Sequence, residues 1–311
     1  ASIVSVAREA KHNVKVTIIS DESEYNLLLE EVKTLKPDVI GFSSVSSQFN
    51  YVKEIASLIK ELFPSTIIVC GGVHPTIHTN ALLETKKIDG FFVGESELSF
   101  IEFLKKIEKG EPFKETDNFA YVQDGKVVRN KLKNLLEDLD LLPHPDKEIY
   151  PYKKTIMDLG YAPFFFARGC PYMCTYCSNH ALAKLYGRRR NYPRFRSPEV
   201  CIREIEEVME KYGKLIEFVW ILDDIFGLNN KWREEFCEKY KSRIKKKFMI
   251  LIRVEMANDS LFDMLRDAGC FRVFFGVESG NEKVRSEIMG RKMSNEEIIN
   301  AFDLCHKHGL E

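Results

Sequence analysis

Short apolar runs alternate with amphipathic segments along residues 1–109, and this alternation limits the possible folds more than any other feature. Extended segments are predicted at Val14–Ser20, Asp38–Ser43, Thr66–Cys70 and Gly90–Val93, and a segment with helical spacing follows each one. Strands separated by helices in this way form parallel sheets that are covered by helices. The same alternation resumes at residue 162, so the sequence predicts an α/β protein with two such units.

Three regions are expected along the chain. A Rossmann-like domain is predicted over residues 1–110, a connector over 111–160 and a second α/β domain over 161–311. Within the connector, Asp124-Gly125 separates two apolar runs, and this pattern predicts a β-hairpin with a tight turn.

Charge and composition argue against several classes of function. The chain has 311 residues, with 46 basic and 47 acidic side chains and a net charge of −1. No charge excess therefore favours a nucleic acid or an anionic membrane as a partner. No apolar run approaches the roughly 18 residues of a membrane-spanning helix. Eight cysteines in a chain of this length do not indicate a disulfide scaffold.

Three cysteines lie within eight residues of one another, directly after an apolar run that ends at Ala167. Cys170, Cys174 and Cys177 have the spacing C-x3-C-x2-C, and the next cysteine is Cys201. The loop past the carboxyl end of a strand is where parallel α/β folds place their chemistry. A [4Fe–4S] cluster usually takes four cysteine ligands, so three would leave one iron open to another ligand.

Two other interpretations of these thiols remain open. Cys170, Cys174, Cys177 and His180 could form a closed Cys3His zinc site. Alternatively, the cysteines could be small apolar residues of a core, as free cysteines often are.

The loop Arg168–His180 resembles the signature C-x3-C-x-aromatic-C of the radical S-adenosylmethionine (SAM) superfamily, with Tyr176 in the aromatic position. The resemblance implies that Cys170, Cys174 and Cys177 hold a [4Fe–4S] cluster whose open iron binds SAM. It also implies that an electron from the cluster cleaves SAM and releases a 5′-deoxyadenosyl radical. A reducing electron donor of the flavodoxin or ferredoxin type and a cytoplasmic location are expected with such an oxygen-sensitive cluster.

Polar residues at the ends of later strands are the expected SAM contacts. Asp223 and Asp224 stand where this superfamily often has Gly-Gly-Glu, and they are expected to meet the SAM ammonium or to cap the following turn. Arg253 could pair with the SAM carboxylate or form a structural ion pair. Glu278 and Ser279 resemble the G-x-E-S-G turn of the superfamily, which meets polar groups of SAM.

The first domain resembles the cobalamin (B12)-binding domain that precedes many radical SAM domains. The resemblance lies in Lys36–Gly41, the serine loop Ser43–Ser47, the segment Gly71–Thr76 and the segment Asp89–Glu95. In that family these loops surround the nucleotide tail of cobalamin. The resemblance therefore assigns contacts with cobalamin to Ser44, Ser46, Gly71, Gly72 and Gly94.

The sequence departs from other cobalamin proteins in two ways. The D-x-H-x-x-G motif that supplies an axial histidine is absent, and His74, in a His-Pro turn, is not expected to ligate cobalt. The first strand of the domain is also missing, and only four strand–helix units follow residue 160. We therefore expect a chain truncated at both ends, with a Rossmann-like cobalamin-binding domain and a partial TIM-type barrel. A degenerate domain that no longer binds cobalamin is an alternative.

A basic segment, 187–196, follows the cysteine loop. It is interpreted either as a solvated loop or as a lid whose arginines meet anionic groups of SAM, cobalamin or substrate.

Together these features predict a radical SAM enzyme, with cobalamin-dependent methyl transfer to an unactivated carbon as the leading reaction. In this reaction the deoxyadenosyl radical would remove a hydrogen atom from a small-molecule or natural-product substrate, and cobalamin would donate the methyl group. One alternative is a radical cyclisation or rearrangement, with cobalamin assisting or absent. An alternative from another class is a non-catalytic module that binds cobalamin or zinc. No nucleic acid or membrane partner is expected.

Overall fold

A computed structural model describes residues 1–187 and 193–311 of the chain. It divides into two compact units. The N-terminal unit comprises Ala1–Leu135 with Pro143–Tyr150, and the C-terminal unit comprises Leu136–Leu142 with Pro151–Glu311. Within the described residues, no helix combines the length and the apolar character needed to cross a bilayer.

The N-terminal unit contains a five-stranded sheet whose order follows the chain, β1-β2-β3-β4-β5. Its helices and strands are α1 (Ser2–Glu9), α2 (Tyr25–Leu35), β1 (Val39–Ser43), α3 (Phe49–Leu62), β2 (Ile67–Gly71), α4 (Val73–Ile77), β3 (Gly90–Phe92), α5 (Glu97–Glu108), β4 (Phe119–Gln123) and β5 (Lys126–Arg129). Strands β1, β2 and β3 are parallel, whereas β4 and β5 form an antiparallel hairpin added to β3. At its turn, Asp124 and Gly125 have φ angles of 49° and 72°, as a tight hairpin requires.

Buried strand residues and a helix stripe explain how this sheet forms. In β2, Ile68, Val69 and Cys70 are at most 2% exposed, which fits a central strand with both faces covered. The buried residues of α3 recur at helical spacing: Phe49, Val52, Ile55, Ala56 and Ile59. In the ladder Ser43 lies opposite Gly71, so β1 and β2 end at the same level and their following loops lie side by side.

The segment Val14–Ser20, predicted as a strand, has no regular secondary structure, so this prediction was wrong. Its burial alternates only over residues 14–17, since Thr17 and Ile18 are both exposed, and a strand also needs a neighbour for its backbone hydrogen bonds. Strand β1 lies at the edge of the described sheet and pairs only with β2 there. Alternation alone therefore did not produce a strand.

The C-terminal unit contains a parallel sheet in the order β11-β10-β9-β6, together with a small antiparallel pair of β7 and β8. Its elements are α6 (Tyr152–Leu159), β6 (Tyr161–Phe164), β7 (Ala167–Arg168), α7 (Ser178–Leu185), β8 (Arg194–Phe195), α8 (Pro198–Tyr212), β9 (Phe218–Ile221), α9 (Asn230–Arg243), β10 (Lys247–Ile252), α10 (Asp259–Ala268), β11 (Cys270–Phe275), a π-helical turn (Val284–Ile288) and α11 (Asn295–Lys307). The carboxyl ends of β6, β9, β10 and β11 meet at one edge, where the cysteine loop and the expected SAM residues follow. The predicted α/β class with parallel sheets is thus confirmed.

An aromatic and aliphatic core lies between this sheet and its helices. Phe164, Phe236, Phe248 and Phe262 are each fully buried in it, and Trp232 stacks on Phe236 with ring centroids 5.1 Å apart. Helix α8 begins as its sequence predicts. The Ser197 side chain accepts a hydrogen bond from the N–H of Val200 at 3.3 Å, and Pro198 occupies the first turn. This packing fixes the strands whose ends carry the site.

Candidate radical SAM and cobalamin sites

The cysteine loop begins immediately after β7. Gly169 has a φ of 87°, a left-handed conformation that glycine adopts readily. Cys174 is buried, whereas Cys170 and Cys177 are partly exposed. Cys177 precedes the first turn of α7, and its N–H donates to the carbonyl of Cys174 at 3.1 Å. A thiolate at a helix N-terminus is favoured by the partial positive charge of the free backbone N–H groups.

The three thiols share one electrostatic environment. The pKa of the Cys170 thiol is raised to about 11, mainly by burial and to a smaller extent by the charges of Asp224, Cys177 and Cys174, against the lowering effect of a backbone hydrogen bond at Tyr172. Three thiolates side by side therefore require positive charge nearby, from a metal centre or from the protein. This donor set fits an iron–sulfur cluster bound through three cysteines.

Two arginine side chains supply positive charge at Cys174. Arg253 Nη1 donates to Cys174 Sγ at 3.7 Å, and Arg291 Nη1 donates to the same sulfur at 3.5 Å. Each residue is only 6% exposed, so water screens the two charges little. Cys174 Sγ thus lies between two buried guanidinium groups.

Arg253 is held by further contacts on both sides. Its guanidinium lies 3.8 Å from the centroid of the Tyr172 ring, which is cation–π geometry. Its Nε lies 3.2 and 3.1 Å from the two carboxylate oxygens of Glu255. The structural ion pair that the sequence left open is therefore present, so a ligand carboxylate would have to share Arg253 with Glu255.

The turn after β11 brings the other expected SAM residues to the cysteine loop. Glu278 has a φ of 67°, which is uncommon for a residue with a side chain, and it hydrogen-bonds to Tyr176. Arg291 donates to the Tyr176 hydroxyl at 3.2 Å and to the carbonyl of Gly276. A Cβ at Gly276 would lie 2.8 Å from Glu278 Oε1, so a larger residue would disturb this arrangement. Ser279 accepts from the N–H of Asn281 at 3.1 Å and lies on the same turn.

The segment after this turn fastens the cysteine loop. Thr175 donates from its N–H to the carbonyl of Met289 at 3.1 Å and from its hydroxyl to the carbonyl of Ile288 at 2.7 Å. Gly290 lies close to Met173, because a Cβ there would be 3.3 Å from its carbonyl oxygen. Arg285 is fully buried and bonds to backbone carbonyls on both sides of the segment.

Sequence reasoning missed Arg285 and Arg291. Both follow the recognised Glu278-Ser279 turn, but neither belongs to a motif or an apolar period that would mark it. Only the folded chain shows that Arg291 reaches a cysteine 117 positions earlier.

Asp223 and Asp224 differ sharply in their surroundings. Asp223 is 2% exposed, and its Oδ1 accepts from the N–H groups of Phe166 at 2.6 Å and Ala167 at 2.9 Å. Burial raises the pKa of Asp223 to about 7, against the lowering effect of these two N–H groups. Its Oδ2 is buried without a hydrogen-bond partner in the described part of the chain. Asp224 is exposed. Asp223 thus fastens the strand end before the cysteine loop, and Asp224 is open to a ligand.

The expected cobalamin residues lie on three adjoining loops of the N-terminal unit. The N–H of Ser44 donates to the carbonyl of Gly71 at 3.0 Å, and Thr76 Oγ1 bonds both to the carbonyl of Gly72 at 2.7 Å and to the N–H of Gly94 at 2.9 Å. A Cβ at Gly72, where φ is 100°, would lie 2.8 Å from the carbonyl oxygen of Ser44. Only glycine allows this approach of the loops.

Ser46 and His74 form a pair beside these loops. Ser46 Oγ lies 2.9 Å from His74 Nδ1, and the His74 ring lies 4.4 Å from that of Phe49. Burial lowers the pKa of His74, and His78 lowers it further, so the imidazole is neutral at neutral pH. Its Nε2 is buried and has no partner among the described residues. Ser46 and Gly72 are exposed beside this histidine. Their polar groups suit a polar ligand such as the nucleotide of cobalamin.

The structure bears on two further expectations, the closed zinc site and the basic segment 187–196. Within residues 1–187 and 193–311, no three His, Cys, Asp or Glu side chains gather closely enough to hold a single metal ion, and this includes Cys170, Cys174, Cys177 and His180. In the basic segment, residues 188–192 lie outside the described residues. Of its other members, Arg194 donates to the carbonyl of Leu136 at 2.6 Å and Arg196 to that of Leu142 at 3.0 Å.

Comparison with known proteins identifies the class of both units. The model of the B12 binding domain matches residues 1–104, and the model of the Radical SAM superfamily matches residues 164–311. The chain therefore belongs to the radical SAM enzymes that carry a B12-binding domain, as its motifs predicted. The two models thus name SAM and B12 as the cofactors of these domain families.

Individual proteins resemble the chain over nearly its whole length. An uncharacterized methyltransferase, PH0819 of Pyrococcus horikoshii, is 28% identical over 100% of this chain and 66% of its own length. The anaerobic magnesium-protoporphyrin IX monomethyl ester cyclase of Rubrivivax gelatinosus is 26% identical over 95% of this chain and 53% of its own length. The chain therefore spans roughly half to two thirds of these relatives.

One solved structure shows the same fold. The cobalamin-dependent SAM radical enzyme OxsB, with aqua-cobalamin and SAM bound, matches with a TM-score of 0.82 and 22% identity, over 100% of this chain and 45% of that protein. The fold thus agrees with the class that the two family models identify.

Proposed function

We propose that this radical SAM enzyme catalyses cobalamin-dependent methyl transfer to an unactivated carbon of a small-molecule substrate. One observation carries the proposal: the loop with three cysteines lies under two buried arginines that face Cys174, as an anionic cluster requires. The likeness to a methyltransferase over the whole chain supports the reaction class. When bound, the cluster and SAM supply the 5′-deoxyadenosyl radical and cobalamin supplies the methyl group.

The cluster would be held by Cys170, Cys174 and Cys177. Cys177 lies at the N-terminus of α7, and two arginines contact Cys174, so positive charge lies beside the anionic ligands that a cluster needs.

SAM would be bound by groups at the carboxyl edge of the C-terminal sheet. Asp224 is exposed and would meet the ammonium, whereas Asp223 would support it through the backbone at Phe166 and Ala167. Arg253 would orient the carboxylate. The remaining proposed contacts are Tyr176, Glu278 and Ser279.

Cobalamin would lie on the loops of the N-terminal unit. The exposed backbone at Gly72 and the hydroxyl of Ser46 would face its nucleotide, and the close approach of Ser44, Gly71 and Gly94 would shape the loops. His74 is not proposed as a cobalt ligand, because its Nδ1 already contacts Ser46 and its ring is packed on Phe49.

A radical cyclisation is the second candidate, because the Rubrivivax gelatinosus cyclase matches 95% of this chain. In either case we propose a reducing electron donor of the flavodoxin or ferredoxin type and a cytoplasmic location.

The test uses the full-length protein, reconstituted without oxygen and supplied with cobalamin, dithionite and SAM that carries a deuterated methyl group. We expect 5′-deoxyadenosine to form and the label to appear on cobalamin. Formation of 5′-deoxyadenosine without labelled cobalamin would favour the radical cyclisation. A protein that contains zinc in place of iron would instead be only a binding module.

Two cysteine variants, one at a proposed cluster ligand and one in the core, give a matched comparison. Cys174→Ala is expected to lower 5′-deoxyadenosine formation at least about 100-fold, since loss of a ligand or its support typically costs metal sites this much. Cys305→Ala, which alters a buried core thiol, is the control and should retain the activity. Full activity of Cys174→Ala would contradict the assignment of the cluster.

A further inference from the structure

Two arginines contact Cys174, the central cysteine of the proposed cluster loop. In the described part of the chain, Arg291 is the one of the two that contacts no carboxylate. Its side chain is 6% exposed, and its donors reach Cys174 Sγ at 3.5 Å, the Tyr176 hydroxyl at 3.2 Å and the carbonyl of Gly276. None of these acceptors is a carboxylate. Its Nε is buried and has no hydrogen-bond partner among the residues described. A buried charge of this kind is costly unless an anion compensates it.

The second arginine at Cys174 differs in this respect. Arg253 Nε lies 3.2 and 3.1 Å from the two carboxylate oxygens of Glu255, and its Nη2 forms an ion pair with one of them, so the negative charge of Glu255 offsets its positive charge. Both arginines touch the same sulfur, but among the described residues only Arg253 is in direct contact with a carboxylate; the charge of Arg291 acts on Glu255 from a greater distance.

The backbone fixes Arg291 against the cysteine loop. Thr175 bonds to the carbonyls of Ile288 and Met289, and Gly290 packs against Met173. These contacts hold the backbone before Arg291 against the cysteine loop, and the hydrogen bonds to the Tyr176 hydroxyl and the Gly276 carbonyl hold its guanidinium beside Cys174.

We propose that Arg291 stabilises the reduced form of the cluster through Cys174 and so raises the reduction potential of the cluster. The inference rests on the proposed function, because it requires Cys174 to be a cluster ligand. Reduction adds one electron from the external donor and makes the cluster more negative. Local charge and hydrogen bonds to the ligating sulfurs are among the factors that set such potentials.

The test compares reconstituted full-length wild-type protein with Arg291→Gln, Arg291→Lys and Arg266→Gln, without SAM and without oxygen. Arg266 is the control, because it is an exposed arginine on α10 that pairs with Asp263 and Asp267. Iron and sulfide are counted first, and the midpoint potential is then measured by spectroelectrochemistry.

We expect Arg291→Gln to load the cluster and to disfavour its reduction about tenfold, a shift of about 59 mV to more negative potential for one electron. Arg291→Lys keeps the charge and should shift less, and Arg266→Gln should not shift. An unchanged potential in a fully loaded Arg291→Gln protein would overturn the proposal.

Loading itself decides the remaining cases. If folded Arg291→Gln cannot hold the cluster but Arg291→Lys can, the need for the charge is supported. If neither holds it, the role is one of packing and the proposal fails. A wild-type protein that takes up no iron refutes the proposed function instead, which keeps the two failures apart.

Discussion

Asp223 offers the sharpest quantitative prediction, because its carboxyl group is buried beside only two hydrogen-bond donors. Substitution by asparagine keeps an oxygen that can accept from the N–H groups of Phe166 and Ala167 but removes the titration. The two proteins should therefore differ in how their free energy of unfolding depends on pH.

The magnitude follows from the pKa of Asp223. Burial raises this pKa to about 7 in the folded chain, against about 3.9 in the unfolded chain. Between these values the folded state binds the proton and the unfolded state does not. The stabilisation is therefore fully present below pH about 3.9 and is lost as the pH rises through about 7. Linkage gives a total of about 4 kcal/mol, of which about 2 kcal/mol is lost between pH 5.5 and pH 8.

The assay is urea unfolding of the protein without cofactors at pH 5.5 and pH 8, followed by circular dichroism. Relative to Asp223→Asn, the wild type should lose about 2 kcal/mol of stability over this interval, and histidines common to both proteins cancel in the comparison. Asp224→Asn, at the exposed neighbour, should keep most of the pH dependence, because burial is the main cause of the raised pKa of Asp223 and the charge of Asp224 is a smaller one. Parallel pH profiles of the wild type and Asp223→Asn would refute the reasoning about burial.

Two further substitutions test local geometry. In urea unfolding, Gly72→Ala should destabilise the N-terminal unit by roughly 2–4 kcal/mol more than Gly110→Ala. Both glycines have a positive φ, but only a Cβ at Gly72 would clash with the backbone of Ser44. Equal losses of stability in the two variants would contradict the clash. Ser294→Ala should lower the free energy of unfolding by about 1 kcal/mol in the same assay. The Ser294 side chain accepts a hydrogen bond from the N–H of Glu297 at 3.0 Å, in a capping box at the start of α11. An unchanged free energy of unfolding would show that the cap contributes nothing to stability.

Much of the fold could be predicted, because it depends on local patterns. Asp124-Gly125 predicted the hairpin, and both residues have the positive φ that its turn requires. Serine followed by proline is a typical helix start, and Ser197 before Pro198 does accept a capping hydrogen bond at the start of α8. The strand predicted at Val14–Ser20 was wrong, since pairing between strands depends on a neighbour that the local sequence does not reveal.

The candidate site could be predicted only as far as its motifs extend. The spacing of the cysteines and the Glu278-Ser279 turn marked the loops in advance. The contacts of Asp223 with backbone 56 and 57 positions away, and of Arg291 with Cys174, depend on tertiary structure. The sequence marked Asp223 by its place after β9 but did not reveal its backbone partners, and no motif or spacing marks Arg291.

The most direct test of the account is electron paramagnetic resonance of the full-length protein, reconstituted without oxygen and reduced with dithionite, before and after addition of SAM. We expect about four iron and about four sulfide ions per chain and a signal that changes when SAM binds, since three cysteines leave one iron open. A protein that contains zinc without iron, or a cluster whose signal is unchanged by saturating SAM, would contradict the central claim.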